Sequence, residues 1–299
     1  MSRAEAACTP ALVGHDRAEA IRTGKNMASD LTTAKNQTGL TSDALARQFS
    51  AWLAGIDYEI NFWEHWTASK GDRWPADFLS RLDTNREVNP ALLEGLGVEH
   101  PKVLDVGAGP ASILGHKYKG NPIKLSACDP LAPLYADMAV RHGVDWPVKT
   151  ASAFAEDLSA FYPRGEFDLV YCRNALDHSF DPVRGIEEML IVARLGGRVA
   201  LDHYVNEAEK AKYDGFHQWN FQTIDGKFII WNRDERIDVA ERFADCATVS
   251  VESNNDWIWA RINKIAEPKL AENRHRQRIA ELLLASRDAF LGKSIRRAA

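Results

Sequence analysis

The chain has 299 residues, 45% hydrophobic and 26% charged, with a formal net charge of −5. That length suits one large domain with appendages, and the acidic balance argues against a nucleic-acid binder, which normally presents a basic face. Four cysteines, Cys8, Cys128, Cys172 and Cys246, are scattered without Cys-x-x-Cys spacing, which points to reduced thiols and against a zinc site or disulfide framework. No apolar run is long enough to cross a bilayer, and the first residues hold no signal-type apolar stretch, so a cytoplasmic location is expected.

Residues 1–40 mix small, polar and charged side chains without period and are expected to form a disordered or loosely held leader. Thr41-Ser42-Asp43 then offers capping side chains. Leu45, Phe49, Trp52, Leu53, Ile56, Ile60 and Trp63 follow at helical spacing, one apolar stripe ended near Gly71. Trp74-Pro75 and Asn89-Pro90 each place a proline where a first helical turn would begin. A helical cap over 41–100 is therefore predicted. Its Trp63, Trp66 and Trp74 read as packing residues, compatible with a lid over a site.

From residue 101 the pattern alternates. Strands are predicted at 103–106, 123–128, 148–150, 167–172 and 198–202, with helices after the first strand, at 134–140 and at 182–192, the last capped by Leu195-Gly196-Gly197. Such alternation gives a parallel sheet covered on both faces. Two further apolar runs, 247–251 and 257–262, flank a short polar turn, so one of them must run antiparallel. An insert over 204–234 contains Asp225-Gly226 between strand-like runs, a type I′ hairpin signal, and this hairpin is predicted to lie over an acceptor site. After Pro268 an arginine-rich helix with a solvated face is predicted to run to about Leu291.

The core is organised around Val103-Leu104-Asp105-Val106-Gly107-Ala108-Gly109-Pro110-Ala111. A buried strand, an acid and two glycines one residue apart make a nucleotide-type cradle, because glycine admits positive φ and close approach of a ligand to the backbone. Ser112-Ile113-Leu114 could open the helix that usually completes such a cradle. Asp129, at the end of the second strand, suits a ribose diol, whose hydroxyls are donors. The ordered set Asp105, Gly107, Gly109 and Asp129 resembles motifs I and II of the class I S-adenosylmethionine (SAM) methyltransferases. That resemblance implies a Rossmann-like α/β sheet, mostly parallel with an antiparallel seventh strand, over a core of 101–265. It also implies SAM as cofactor, held by Asp105, Gly107, Ala108, Gly109, Asp129, Pro130, Leu131, Phe154, Ala155, Arg173 and Asn174. The stretch Ala151 to Leu158 resembles a Gly-Asp-Ala-Glu-Asp-Leu motif with Phe154 in place of the acid. Phe154 then either stacks on adenine or belongs to the core.

The fourth strand runs into Arg173-Asn174-Ala175-Leu176-Asp177-His178. Asn174, Asp177 and His178, at i, i+3 and i+4, would share one face of a helical turn. The spacing is similar to the Glu-x-x-Glu-His of ubiquinone-pathway and small-RNA O-methyltransferases, which bind a divalent metal there. With Asn and Asp replacing the two glutamates, a divalent metal is not favoured here, though it stays open. His178 is the first candidate general base, because an imidazole can take a hydroxyl proton near neutral pH. Asp177 or Asp202 could orient it; His203 is a second candidate and His217 a third. Asp-Pro-Leu-Ala, Arg-Asn-Ala-Leu-Asp-His, His-Gln-Trp-Asn-Phe and Ile-Trp-Asn-Arg-Asp resemble a bacterial branch associated with surface-polysaccharide gene clusters, which implies a small-molecule or saccharide hydroxyl as acceptor. An N-methyltransferase, an NAD-binding oxidoreductase and a non-catalytic SAM binder remain as alternatives, as does a homodimer. Against N-methylation of a base, no Asn-Pro-Pro-Tyr type motif follows the fourth strand.

Overall fold

The computed structural model describes residues 42–269. The expected leader and the predicted arginine-rich helix after Pro268 fall outside the described residues. The cap is helical: α1 (Ser42–Ala68), α2 (Pro75–Leu82) and the single turn α3 (Pro90–Leu93). Gly71, at φ +106°, donates its N–H to the Trp66 carbonyl at 2.8 Å and turns the chain away from α1. Asn89 caps α3, its Oδ1 accepting the Ala91 N–H at 3.1 Å ahead of Pro90.

The core follows in chain order as β1 (Lys102–Val106), β2 (Lys117–Tyr118), β3 (Asn121–Pro122), β4 (Lys124–Cys128), α4 (Ala132–His142), β5 (Thr150–Ala151), β6 (Phe167–Arg173), α5 (Pro182–Val192) and β7 (Ala193–Tyr204). The insert supplies α6 (Glu207–Lys210), β8 (Asn220–Ile224), β9 (Lys227–Trp231) and β10 (Arg236–Asp238); α7 (Val239–Arg242), β11 (Ala247–Ser253) and β12 (Trp257–Lys264) complete the chain. Seven strands form one sheet in the order β11-β12-β7-β6-β1-β4-β5. Only β12 runs against its neighbours. It is the last strand in sequence and the second from the edge in space. This is the Rossmann-like, mostly parallel sheet with a reversed seventh strand that the motifs imply. No described helix is long and apolar enough to cross a membrane.

Three local expectations need correction. First, no helix follows the glycine turn. Ser112 Oγ donates to Asp105 Oδ2 at 2.6 Å and accepts the Leu114 N–H at 3.1 Å, a side-chain bonding pattern that competes with helical bonds. Gly115 lies so close to Glu87 that a Cβ would sit 2.4 Å from its carbonyl carbon, and the short β2–β3 ribbon takes the helix's place. Second, β7 starts directly at Ala193. The glycine pair expected to cap α5 lies inside this strand, with Gly196 at φ +71° and a register shift opposite Phe167 and Leu169. Third, the insert forms a three-stranded sheet, and its hairpin is not a roof. Asp225 and Gly226 do make a type I′ turn, both with positive φ. However, Phe221, Phe228 and Ile230 are buried in the core shared with α5 and the sheet. It is the loop leading into β8 that reaches the site.

The cap is laid along α4 and clamped onto that loop. Trp52 is buried with Leu131, Tyr135, Met138 and Phe216, and Ile56, Ile60 and Trp63 pack against the same group. Further along, Glu64 pairs with both Arg141 and His142. Near the middle of α1, a Cβ on Gly55 would lie 2.2 Å from Phe216 Cδ1. Gly55→Ala must therefore push the Phe216 ring away. We expect a cost of about 1–3 kcal/mol, read as a fall in Tm of about 2–4 °C per kcal/mol; an unchanged melting curve would show that α1 is not seated on the insert.

Candidate cofactor and catalytic site

The glycine turn is built as a cradle. Gly107 and Ala108 both donate their N–H groups to the Cys128 carbonyl, at 2.8 and 3.1 Å. Gly107 (φ +69°) and Gly109 (φ +62°) adopt the left-handed conformation. Space demands glycine as well, since a Cβ at Gly107 would meet Ala175 Cβ at 2.3 Å and one at Gly109 would meet Trp63 at 2.9 Å. Asp105 is buried below the turn on Ser112, and burial pushes its carboxyl up to about 6. Asp129 is buried opposite: Oδ2 accepts the Gly109 N–H at 3.1 Å and Oδ1 the Leu131 N–H at 2.8 Å. Burial pushes Asp129 up to about 7, and the Glu59 charge adds to the rise. With no helix behind it, the loop is held by arginines of the cap. Arg81 donates to the Ala111 carbonyl at 2.6 Å and Arg86 to that of Ile113.

The other predicted cofactor residues divide. Ala108 and Leu131 are buried beside the turn and Pro130 is half-buried between Asp129 and Leu131. Phe154 stands half-buried, 5.2 Å from the Trp52 ring and 6.0 Å from Phe180, so the structure gives it aromatic packing partners. Ala155 opens a short 3-10 segment in which Glu156, raised by burial to about 7, accepts the N–H groups of Phe180 and Asp181. Arg173 and Asn174 turn elsewhere. The exposed Arg173 guanidinium lies 4.8 Å from the Trp257 ring centroid. Asn174, at φ +47°, accepts the Tyr204 N–H at 2.9 Å and donates its own N–H to the Asp202 carbonyl. It joins the ends of β6 and β7 and does not share a helical face with Asp177.

In place of Asn174, His217 joins Asp177 and His178. A 3-10 turn at Leu176–His178 carries the first two, and the loop before β8 brings the third. His217 Nδ1 lies 3.0 Å from Asp177 Oδ2, His178 Nε2 lies 3.4 Å from the same oxygen, and the two ring nitrogens are 3.2 Å apart. His203 is fully buried behind the carboxylate, its Nδ1 3.7 Å from Asp177 Oδ1. Burial alone would raise Asp177, but the neighbouring imidazoles of His178, His203 and His217 hold its carboxyl well below the usual range. In return, against the effect of burial, Asp177 raises His217 above the ordinary imidazole value. Glu207, at the start of α6, is raised by burial and by the Asp177 charge. Asp202 does not orient any of these rings, because it accepts the Tyr171 hydroxyl at 3.0 Å and Arg261 at 2.7 Å.

Two acids escaped the sequence reading. Glu207 carries no spacing signal. Glu59 carries one: it falls three residues after Ile56 and four before Trp63, an acid on the inward stripe of α1. Its Oε1 accepts the Trp63 Nε1–H at 2.7 Å.

Residues 104–201 match a family model described as a methyltransferase domain. No curated protein matches the chain. Similar solved structures include the [4+2]-cyclase SpnF, 20% identical with a TM-score of 0.37 over 52% of this chain; the chain spans 62% of the cyclase's length. A chain of the Haloferax volcanii complex between the Trm112 methyltransferase activator and a methyltransferase is 16% identical, with a TM-score of 0.42 over 69% of this chain and 100% of that one. An O-methyltransferase family protein from Burkholderia thailandensis is 13% identical, with a TM-score of 0.41 over 60% and 55%. None of these likenesses reaches a TM-score of 0.5. The segment that matches the methyltransferase-domain model holds β4, β5, β6 and most of β1 and β7, the strands that carry the cradle and the cluster.

Proposed function

We propose that the enzyme transfers a methyl group from SAM to a hydroxyl of a small-molecule or saccharide acceptor, with the Asp177–His178–His217 cluster taking the hydroxyl proton. The observation that carries this reading is the join between cradle and cluster. Ala175, two residues before Asp177, packs so tightly on Gly107 that no side chain fits between them. The cofactor cradle after β1 and the proton acceptor after β6 thus stand at adjoining strand ends. The acceptor class rests on the resemblance to the polysaccharide-associated branch.

The residues present fit an adenosyl cofactor. The turn between β1 and β2 carries two left-handed glycines, and Asp129 keeps lone pairs beyond its two backbone amides for a ribose hydroxyl. Ala108, Pro130 and Leu131 would line the turn beside it. When bound, SAM supplies a methyl group on a sulfonium, a good leaving group, so the protein's part is chiefly alignment. Positioning of this kind can contribute about 7–11 kcal/mol. Asp177 fixes both histidines and stabilises whichever imidazolium forms. His178 Nδ1 and His217 Nε2, the ring nitrogens turned away from Asp177, are the atoms that can meet a hydroxyl proton. Proton removal by such a base contributes about 10²–10⁴-fold.

The mutual spacing of 3.0, 3.2 and 3.4 Å also favours a second reading. Ligand atoms about 2.0–2.1 Å from one tetrahedral ion stand about 3.3 Å apart, and Asp177, His178 and His217 are the group among the described residues that could hold a metal. A divalent ion there would lower the pKa of a coordinated hydroxyl in place of a base. The two readings part on one measurement. With the base, turnover survives a chelator and the purified protein holds no stoichiometric metal. With the metal, turnover is lost on chelation and restored by the ion, and added Co²⁺ gives a visible absorption band that His217→Ala removes.

Calorimetry should show SAM binding and no NADH binding; the reverse would overturn the assignment. His178→Ala should leave SAM affinity nearly intact and cut kcat by about 10²–10⁴-fold; unchanged turnover would remove His178 from the reaction. The pH profile gives a third test. His217 must be neutral to accept a proton, and Asp177 favours its protonated form, so activity should fall as pH drops through a value above the usual ~6.5. Asp177→Asn should lower kcat and move that limb to lower pH, and a limb that stays in place would rule out the coupling.

A further inference from the structure

We propose that Glu59 is a cofactor-positioning residue, the second acid of a ribose clamp whose first acid is Asp129. This inference rests on the SAM-dependent reading above.

The geometry forms a continuous line from cap to cradle. Glu59 Oε1 accepts the Trp63 Nε1–H at 2.7 Å. The Trp63 ring lies against Gly109, where a Cβ would approach it to 2.9 Å, and the Gly109 N–H is held by Asp129 Oδ2 at 3.1 Å. Glu59 Oε2 has no hydrogen-bond partner among the described residues. On either side of this point α1 is fastened: Gly55 sits on Phe216 toward one end, and Glu64 pairs with Arg141 and His142 toward the other. Glu59 is therefore an anchored carboxylate on the inward face of a fixed helix.

A ribose diol offers two hydroxyl donors. Asp129 has already committed one lone pair on each oxygen to backbone amides, so it meets the diol with half of its accepting capacity. Glu59, with one oxygen held by Trp63, has the other to give. The Glu59 charge raises Asp129, in keeping with two acids facing one space. The sulfonium is the competing target for this carboxylate. A negative charge beside it would favour the charged ground state over the transition state, in which that charge disperses, and would slow transfer.

The test is calorimetry of the full chain with SAM and with S-adenosylhomocysteine, which shares the ribose and lacks the sulfonium. For Glu59→Gln, we expect affinity for both ligands to fall by about tenfold or more, the scale of one hydrogen bond to a charged group. Trp63→Phe, which keeps a ring and loses the N–H that anchors Glu59, should weaken both ligands in the same proportion but by less. A loss confined to SAM would place Glu59 at the sulfonium and overturn the proposal, and so would unchanged affinity for both. If Glu59→Gln melts early, Trp63→Phe alone decides: equal weakening of both ligands supports the clamp, and no weakening overturns it. Should the unaltered chain bind neither ligand, the SAM-dependent reading itself falls, which is a different result from a variant that binds as tightly as the parent.

Discussion

The contact between Gly107 and Ala175 is the constraint on which the site depends. It joins the end of β1 to the end of β6 at a distance that excludes a single methyl group. Because those strands are neighbours in parallel register, closing this gap fixes the offset between the glycine loop and the turn that carries Asp177. Everything at the C-terminal edge of the sheet is then placed relative to one backbone approach. The register of the reversed strand, the burial of α5 and the seating of the insert all support that edge from behind.

Buried carboxylates do different work here according to their neighbours. Asp105, Asp129 and Glu156 are satisfied mainly by hydroxyl or amide donors, and burial raises all three. Asp177 is equally buried yet held ionised, since imidazoles surround it. Three acids thus brace loops, whereas the fourth carries its charge among the three histidines. The division follows from what each chain segment places within hydrogen-bond reach, and a carboxylate's burial does not by itself mark it as reactive.

The alternation of strands and helices, the reversed strand and the inward stripe of α1 could be read from the sequence because they rest on periodicity and on polar turn residues such as Ser253-Asn254-Asn255-Asp256. The cradle glycines were equally plain. What could not be read depended on contacts between distant segments. His217 is 39 residues from His178 and reaches it only because the loop before β8 folds back over the strand ends. Asn174 has the spacing to join Asp177, but a positive φ turns it to the backbone of Tyr204. The helix expected after the glycine turn was lost to Ser112, whose hydroxyl found Asp105 and a local amide first. Local propensity was overruled in each case by a tertiary partner.

That missing helix has a thermodynamic consequence. In the helix-backed form of such a loop, rigidity would come from bonds within the segment itself. Here the carbonyls of Ala111 and Ile113 are gripped by Arg81 and Arg86, which belong to the cap and its following turn. The ordering of the cradle is thereby linked to the folding of a region outside the family-matched segment. A fragment trimmed to 104–201 would lack the flanking strands and the two guanidinium grips alike, and whatever nucleoside affinity the intact chain has would be shared between two stretches of sequence, neither of which holds it alone.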